Sequence, residues 1–305
     1  MDSFFFNITD TSYKITELYK TKDEHIKRVD ISNGIVFFDI SLLNHKEKIF
    51  SINNLDRMVF IPVVKAGGFS IDDKTNQTQY ISKEDEISIY CSSRQDYTIT
   101  INSAKKTNIF ILFISDFYLK RYLSNKQNEP IDFLYKKIQG ELSLELINTQ
   151  PIDALSLHII NKITNIKTDD KMNSIKCEYS ITEFMIHRFK LIDIYDESLT
   201  SEELDISKKA KDYLLKNFIT PPTIKTLAHK CATNESKLKK IFKKVYKTTI
   251  YKYIQKLKLE KANLLLKDKV LNIGEITDKI GYKHQGHFSK LFFENFGVYP
   301  KDLLK

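Results

Sequence analysis

Residues 223–246 read TIKTLAHKCATNESKLKKIFKKVY, and residues 272–296 read NIGEITDKIGYKHQGHFSKLFFENF. The two stretches carry one apolar pattern. Ile224 and Leu227 recur 49 residues later as Ile273 and Ile276, and Leu238 and Phe242 recur 50 residues later as Phe288 and Phe292. Self-similarity at a fixed offset points to a repeated supersecondary unit, and two copies are too few for a solenoid. Each copy reads as a helix, a short polar turn and a second helix, the helix-turn-helix arrangement.

Working outward, Ile206–Phe218 predicts a helix in front of the first copy, stopped by Thr220-Pro221-Pro222-Thr223 because proline cannot continue a helix. Thr223 caps the helix expected over Ile224–Cys231, and Asn234 or Thr233 caps the next. There Leu238, Ile241, Phe242 and Val245 recur at helical spacing, while Ser236, Lys239, Lys240 and Lys243 occupy the opposite face. An apolar stripe backed by a cationic face suits a DNA major groove. Tyr251–Lys267 joins the copies. It is apolar on more than one side (Ile254, Leu257, Leu259, Ala262, Leu264), so it should lie between two subdomains. About 17 residues span on the order of 25 Å, which would set two reading helices about one DNA turn apart, roughly 34 Å. In the second copy, Ile273–Ile280 precedes Gly281-Tyr282, where glycine supplies the backbone freedom of a helix end. Gln285–Phe296 follows, with Phe288, Leu291, Phe292 and Phe296 as the buried stripe and Gln285, Gly286, His287 and Lys290 at its exposed start. A short helix closes the chain at Leu304.

The charge divides unevenly. Residues 205–305 hold 23 Lys, no Arg and 9 acidic residues, a net of +14, whereas the whole chain is +9. Residues 1–204 are therefore net acidic, by about −5. A basic half beside an acidic half points to a polyanion partner for one half alone. The 305 residues suggest two domains, and 20 Phe with 16 Tyr can fill sizeable cores. Cys91, Cys177 and Cys231 lie too far apart for a zinc cluster or a disulfide framework, so a reducing cytoplasm is the expected setting. Met1–Phe6 has no signal-peptide pattern, and no apolar run reaches membrane-spanning length.

Between Ile31 and Ser115 the chain reads as short strands: Gly34–Ile40, Arg57–Val64, Phe69–Asp72, Thr78–Ser82, Glu86–Cys91, Tyr97–Asn102 and Asn108–Ile114. Asn53-Asn54, Asp72–Asn76 and Asn102–Lys106 separate them. This spacing predicts a sandwich or small barrel, with Gly67-Gly68 at a tight bend. A barrel can enclose a ligand. His25, His45, His158 and His187 are too scattered for a metal centre, and no nucleophile triad, phosphate loop or Cys-X-X-Cys appears. From Asp116 to Tyr195 the pattern turns helical, over Phe117–Leu123, Pro130–Gln139, Ile152–Thr164 and Ser174–Tyr195. In the last, Ile175, Tyr179, Ile181 and Met185 recur at helical intervals. Two readings of it stay open: packing on its own domain, or pairing with the same helix of a second copy. Asp196–Asp205 reads as a polar linker or as the cap of the next helix.

Gly281-Tyr282, Phe288-Ser289-Lys290, Phe292, Phe296-Gly297 and Tyr299-Pro300 resemble the signature of AraC/XylS-type transcriptional regulators. Leu227-Ala228, Leu238, Phe242-Lys243, Tyr253, Leu257, Lys258, Ala262 and Leu265 resemble its first half. The resemblance covers about a third of the chain. It implies seven helices with two helix-turn-helix units over 205–305, reached through a linker at 196–204. It also implies a cupin-like barrel or sandwich for effector sensing and dimerisation over 1–195. The fold class is then α+β. Lys247 stands where the family usually has Gly, Ile250 where it often has Pro, Lys258 for a usual Arg and Thr277 for a usual Ala. By motif position Ser236, Lys239 and Lys240 face bases in the first unit, and Gln285, His287 and Lys290 in the second, with Lys243 on the same cationic face. Gln suits adenine and Lys suits guanine. With no Arg for bidentate guanine contacts, an A·T-rich site read partly by shape is expected.

The expectation is a cytoplasmic, non-enzymatic, sequence-specific DNA-binding transcriptional regulator, with activator and repressor both open. Its partners would be double-stranded DNA, a small-molecule effector, a second copy of itself and, by family resemblance, RNA polymerase, with no cofactor, metal or membrane. Two alternatives stand beside it. One is a constitutive DNA-binding regulator with a structural barrel. The other is a barrel enzyme with a basic tail, against which the lack of clustered His, Cys or acid pairs argues.

Overall fold

The computed structural model describes residues 2–5, 13–32, 34–55, 57–73, 76–93, 95–102, 104–124, 129–140, 144–166, 171–192, 194 and 199–305. Met1 and Phe6, residues 74–75 of one expected separator, Ser103 of another, residues 193 and 195 of the last expected helix before the linker and residues 196–198 of the expected linker lie outside them. The chain forms two compact units: Met1–Ile152 with Ser156–Ile192, and Asp153–Leu155 with Asp193–Lys305. Among the described residues, no helix is long and apolar enough to cross a membrane.

The N-terminal unit is built on two sheets. One orders β1 (Asp2–Phe5), β5 (Lys48–Leu55), β10 (Gln95–Ile101), β7 (Phe69–Asp73) and β8 (Thr78–Ser82). The other orders β12 (Leu144–Pro151), β9 (Glu86–Ser92), β6 (Met58–Ala66), β11 (Ala104–Ser115), β4 (Ile35–His45), β3 (His25–Ser32) and β2 (Lys14–Lys20). Among the described strands, only the β1–β5 pair is parallel. Strand alternation explains the core: Val36, Phe38, Ile40 and Leu42 of β4 point to one face, with Ile109, Ile111 and Phe113 of β11. They meet Phe50, Ile52, Ile99 and Ile101 from the other sheet. The intervening Phe37, Phe110 and Leu112 are also buried, so the central strands are apolar on both faces.

All seven expected strands are present: β8 keeps its expected bounds, the other six run past them at one end or both, and β4, β6 and β10 each lose one residue at the other end. Five more were not expected. β2 is a mostly exposed edge whose KITELYK offers no apolar alternation. β5 runs through Asn53-Asn54, read above as a separator, because it pairs there with β1. β12 lies inside the stretch read as helical, half-buried along β9. The helical pieces are α1 (Asp116–Lys120), α2 (Pro130–Ile138), α3 (Ala154–Thr164) and α4 (Lys171–Phe189). Along α4 the expected single stripe splits. Ile181 and Met185 are buried, and neighbouring Phe184 meets Phe110 edge-on at 6.3 Å. Ile175 and Tyr179 are exposed.

The C-terminal unit has seven helices among its described residues: α5 (Ser201–Asn217), α6 (Ile224–Lys230), α7 (Glu235–Tyr246), α8 (Ile250–Lys267), α9 (Ile273–Lys279), α10 (Gln285–Phe296) and α11 (Pro300–Leu304). Helix α5 starts five residues before Ile206, because Thr200 and Glu203 form a capping box. Asp153–Leu155 belongs to this unit, where the fully buried Asn263 of α8 accepts from Leu155 N–H and donates to Asp153 Oδ1, both at 2.9 Å.

Candidate nucleic-acid interface

The sequence repeat is a backbone repeat. Helices α6 and α9 each have 7 residues, and α7 and α10 each have 12. After the first helix of each pair, Cys231 (φ −93°, ψ 9°) corresponds to Ile280 (φ −94°, ψ 3°). Both are followed by a left-handed residue, Ala232 at φ 51° and Gly281 at φ 71°. The second turn is one residue longer, which changes the offset from 49 to 50. Both second helices end left-handed as well, Lys247 at φ 53° and Gly297 at φ 75°. The lysine found where the family usually has glycine therefore takes the glycine's conformation.

Capping explains where each helix begins. Thr223, Asn234 and Asn272 accept a backbone N–H from three residues ahead. Leu238, Ile241, Phe242 and Val245 of α7 are buried, as are Phe288, Phe292 and Phe296 of α10. Thr277 is also buried, its hydroxyl donating to Ile273 O at 2.7 Å, so the polar atom has a partner within its own helix.

All seven residues expected to face DNA are solvent-exposed: Ser236, Lys239, Lys240 and Lys243 on α7, and Gln285, His287 and Lys290 on α10. Lys239 lies 4.0 Å from Glu235 and Lys290 3.9 Å from Glu294, both exposed pairs one turn apart. Such pairs hold their cations weakly and leave them available to an anion.

Residues the sequence reading left in the linker prove to hold the first repeat. Glu202 takes Lys237 Nζ at 2.6 Å, and Glu203 takes Lys244 Nζ at 2.7 Å. The Lys244 hydrogen bond holds the Glu203 carboxyl below its ordinary pKa. Lys237 and Lys244 are seven apart and share one side of α7, with Lys240 bordering them and Lys239 and Lys243 turned further away. The Tyr246 hydroxyl donates to Ser207 O at 3.2 Å. The capping-box spacing Thr200-X-X-Glu203 was the available signal. In the second repeat, Lys258 of α8 donates to Gly281 O at 3.0 Å and lies 5.2 Å over the Tyr282 ring. Burial lowers its pKa. The lysine at this position thus makes one backbone hydrogen bond and one ring contact.

Residues 227–305 match the family model described as a helix-turn-helix domain. Both repeats fall within that match, apart from the start of the first helix of the first repeat. Over 81 residues the chain is 36% identical to the HTH-type transcriptional regulator AlkR of Acinetobacter baylyi, covering 27% of this chain and 26% of that protein. It is 27% identical over 127 residues to the Msm operon regulatory protein of Streptococcus mutans, covering 42% of this chain and 45% of the relative. The chain thus spans less than half the length of each of these relatives. Among solved structures, ToxT from Vibrio cholerae aligns over 89% of this chain and 98% of its own, at 16% identity and a TM-score of 0.33.

In the N-terminal unit, the space between the sheets holds a cavity of about 30 Å³ lined by Ile26, Phe38, Ile40, Phe50, Ile52, Ile99, Ile101, Ile111 and Phe113. Every lining side chain is apolar. Among the described residues, no group of three or more His, Cys, Asp or Glu is placed to hold a metal ion.

Proposed function

We propose that this chain is a transcriptional regulator that binds double-stranded DNA through both repeats. Helix α7 supplies Ser236, Lys239, Lys240 and Lys243 to one major groove, and α10 supplies Gln285, His287 and Lys290 to the next. The observation that carries this reading is the exposure of these seven side chains on two backbone-equivalent helices in a unit of net charge +14 over 205–305. Selection of duplexes bound by the full chain from a random pool tests it. An enriched A·T-rich motif, with affinity falling by a log–log salt slope of about −0.9 per contacted phosphate, is expected. No enrichment together with a flat salt response sinks the reading. Within the motif, Gln285→Ala should relax preference at one base pair, at about 1–3 kcal/mol. An equal loss on every sequence would remove Gln285 from the base-reading set.

The working form is a homodimer through α4. Met172, Ile175, Tyr179 and Ile186 are 61, 62, 70 and 50% exposed. With Thr182 they follow a heptad seam. Antiparallel pairing that sets Ile175 against Ile186 and Tyr179 against Thr182 of a second copy also brings Lys176 to Glu183 twice. Shifting by a heptad either way sets lysine against lysine. Tyr179→Glu should turn a concentration-dependent dimer into a monomer in analytical ultracentrifugation. An unchanged sedimentation profile would remove α4 from the interface.

The N-terminal unit is the candidate effector domain, and its interior favours an apolar ligand over a sugar. The cavity has room for little more than one small group, so ligand entry requires the lining to move. That small volume also favours a second reading, a purely structural sandwich beneath a constitutive regulator. Thermal shift separates the two: a ligand of the native state raises Tm by mass action. A panel of apolar and polar metabolites that leaves Tm flat supports the structural reading.

A further inference from the structure

The repeat supplies a register in which the two reading helices can be compared position by position. At the offset of 50, buried Leu238 and Phe242 fall on buried Phe288 and Phe292. The outward face of α7, Ser236, Lys239, Lys240 and Lys243, then falls on Gly286, Ser289, Lys290 and Phe293. This i, i+3, i+4, i+7 spacing is the one by which a homeodomain recognition helix reads bases. On that face the largest change between the repeats is a lysine replaced by a phenylalanine.

Phe293 is 42% exposed although it is a large apolar side chain. Its ring stacks on Tyr299 at 4.5 Å with an interplanar angle of 19°, and Tyr299 is exposed too. Two positions bear on approach to this face. A Cβ built on Gly286 would meet nothing within 4 Å, so the backbone about two turns earlier is bare. Tyr299, from the segment before α11, braces the back of the Phe293 ring and fixes its tilt before any ligand arrives, which lowers the ordering cost of binding.

We infer that Phe293 is a specificity residue of the second repeat, placing its ring against the C5-methyl of a thymine in the major groove. The inference rests on the DNA-binding reading above. Its chemistry follows from what each position can recognise. A lysine at 243 seeks phosphate or the acceptor edge of guanine. A phenyl ring finds only one apolar group on the major-groove edges, the thymine methyl. The first repeat therefore offers charge where the second offers shape and apolar contact.

The experiment uses the full chain and a duplex enriched from a random pool, with each thymine replaced in turn by uracil, which deletes the methyl alone. Wild type should lose about fourfold in affinity at one or two thymines, the worth of one buried methyl. Phe293→Ala should show no loss at those positions and keep its response at the others. Phe293→Lys, which installs the first repeat's residue, should lose the same response and steepen the salt slope by about 0.9. It also serves where alanine disturbs the Tyr299 stack. Identical uracil profiles in wild type and both variants overturn the inference and leave the DNA-binding function standing. A uniform loss of affinity, independent of the methyls, makes Phe293 a structural prop and overturns it as well. A failure to enrich any sequence removes the DNA-binding reading itself, and this inference with it.

Discussion

Helix α7 carries five lysines and one glutamate in twelve residues, whereas α10 carries one lysine and one glutamate in the same length. Both helices close with a left-handed residue, and the helices before them match in length and end geometry. One backbone thus serves two surface chemistries. The first repeat is tethered from outside its own turn, by Glu202 and Glu203 of α5. The second is fixed through its turn, where Lys258 reaches the Gly281 carbonyl. What the comparison teaches is that the framework of a helix-turn-helix lies in its buried stripe and its two left-handed residues, while the outward face is free to diverge.

The turns provide the hardest test of that view. Ala232 holds a Cβ at φ 51°, so the first turn has room for one. At Gly281 a Cβ would sit 2.8 Å from the Ile219 carbonyl oxygen and 3.2 Å from Lys258 Nζ, at φ 71°. A backbone oxygen cannot step aside as a side chain can. Gly281→Ala should therefore cost about 3 kcal/mol, from left-handed strain and overpacking together. Urea unfolding followed by circular dichroism would measure it. A cost no larger than about 1 kcal/mol would mean the two turns are as interchangeable as their dihedrals suggest.

How much of this was legible beforehand depends on which interaction carries each element. The seven C-terminal helices were readable because Leu238, Phe242, Phe288 and Phe292 repeat at helical spacing and Thr223, Asn234 and Asn272 are strong caps. The α5 start was missed because Ser201–Leu204 is polar and takes its role from lysines roughly 35 to 41 positions away. Seven strands announced themselves through Ile, Val and Phe runs. β2 and β12 did not, since edge strands bury little and owe their state to the neighbour they pair with. Motif position alone points to the seven DNA-facing candidates. Phe293 was passed over because an aromatic beside Phe292 reads as core until its exposure is known.

A smaller effect sharpens the comparison at the ends of the reading helices. Lys247 and Gly297 occupy equivalent left-handed sites. Glycine takes this conformation freely, and a side chain pays about 1 kcal/mol for it. Lys247→Gly should be more stable than Lys247→Ala by about that amount, the alanine serving to subtract whatever the lysine side chain contributes. Gly297→Ala should lose a similar amount, because a Cβ there meets nothing within 4 Å and only the backbone conformation is strained. Opposite signs at the two sites in thermal melts would show that the equivalence of the ends is only geometric.

The smallest effect concerns the tether of α7. Glu203 titrates below its ordinary pKa because Lys244 hydrogen-bonds it and Thr200 donates its backbone N–H. A carboxylate whose folded pKa is depressed contributes stability above its unfolded pKa and loses it as pH falls through the folded one. The contribution is thus complete at neutral pH and disappears only in acid. Both groups meet solvent, so the effect on global stability is minor. It should instead appear locally, as faster amide hydrogen exchange in α7 of Glu203→Gln at neutral pH, with α10 unchanged. In α10 the position equivalent to Lys244 is Glu294, so no matching tether can form there. Lowering the pH through the Glu203 titration should bring α7 of the wild type to the protection factors of the variant measured at the same pH. Equal acceleration in both helices would mean that Glu203 supports the whole unit and not the first repeat alone.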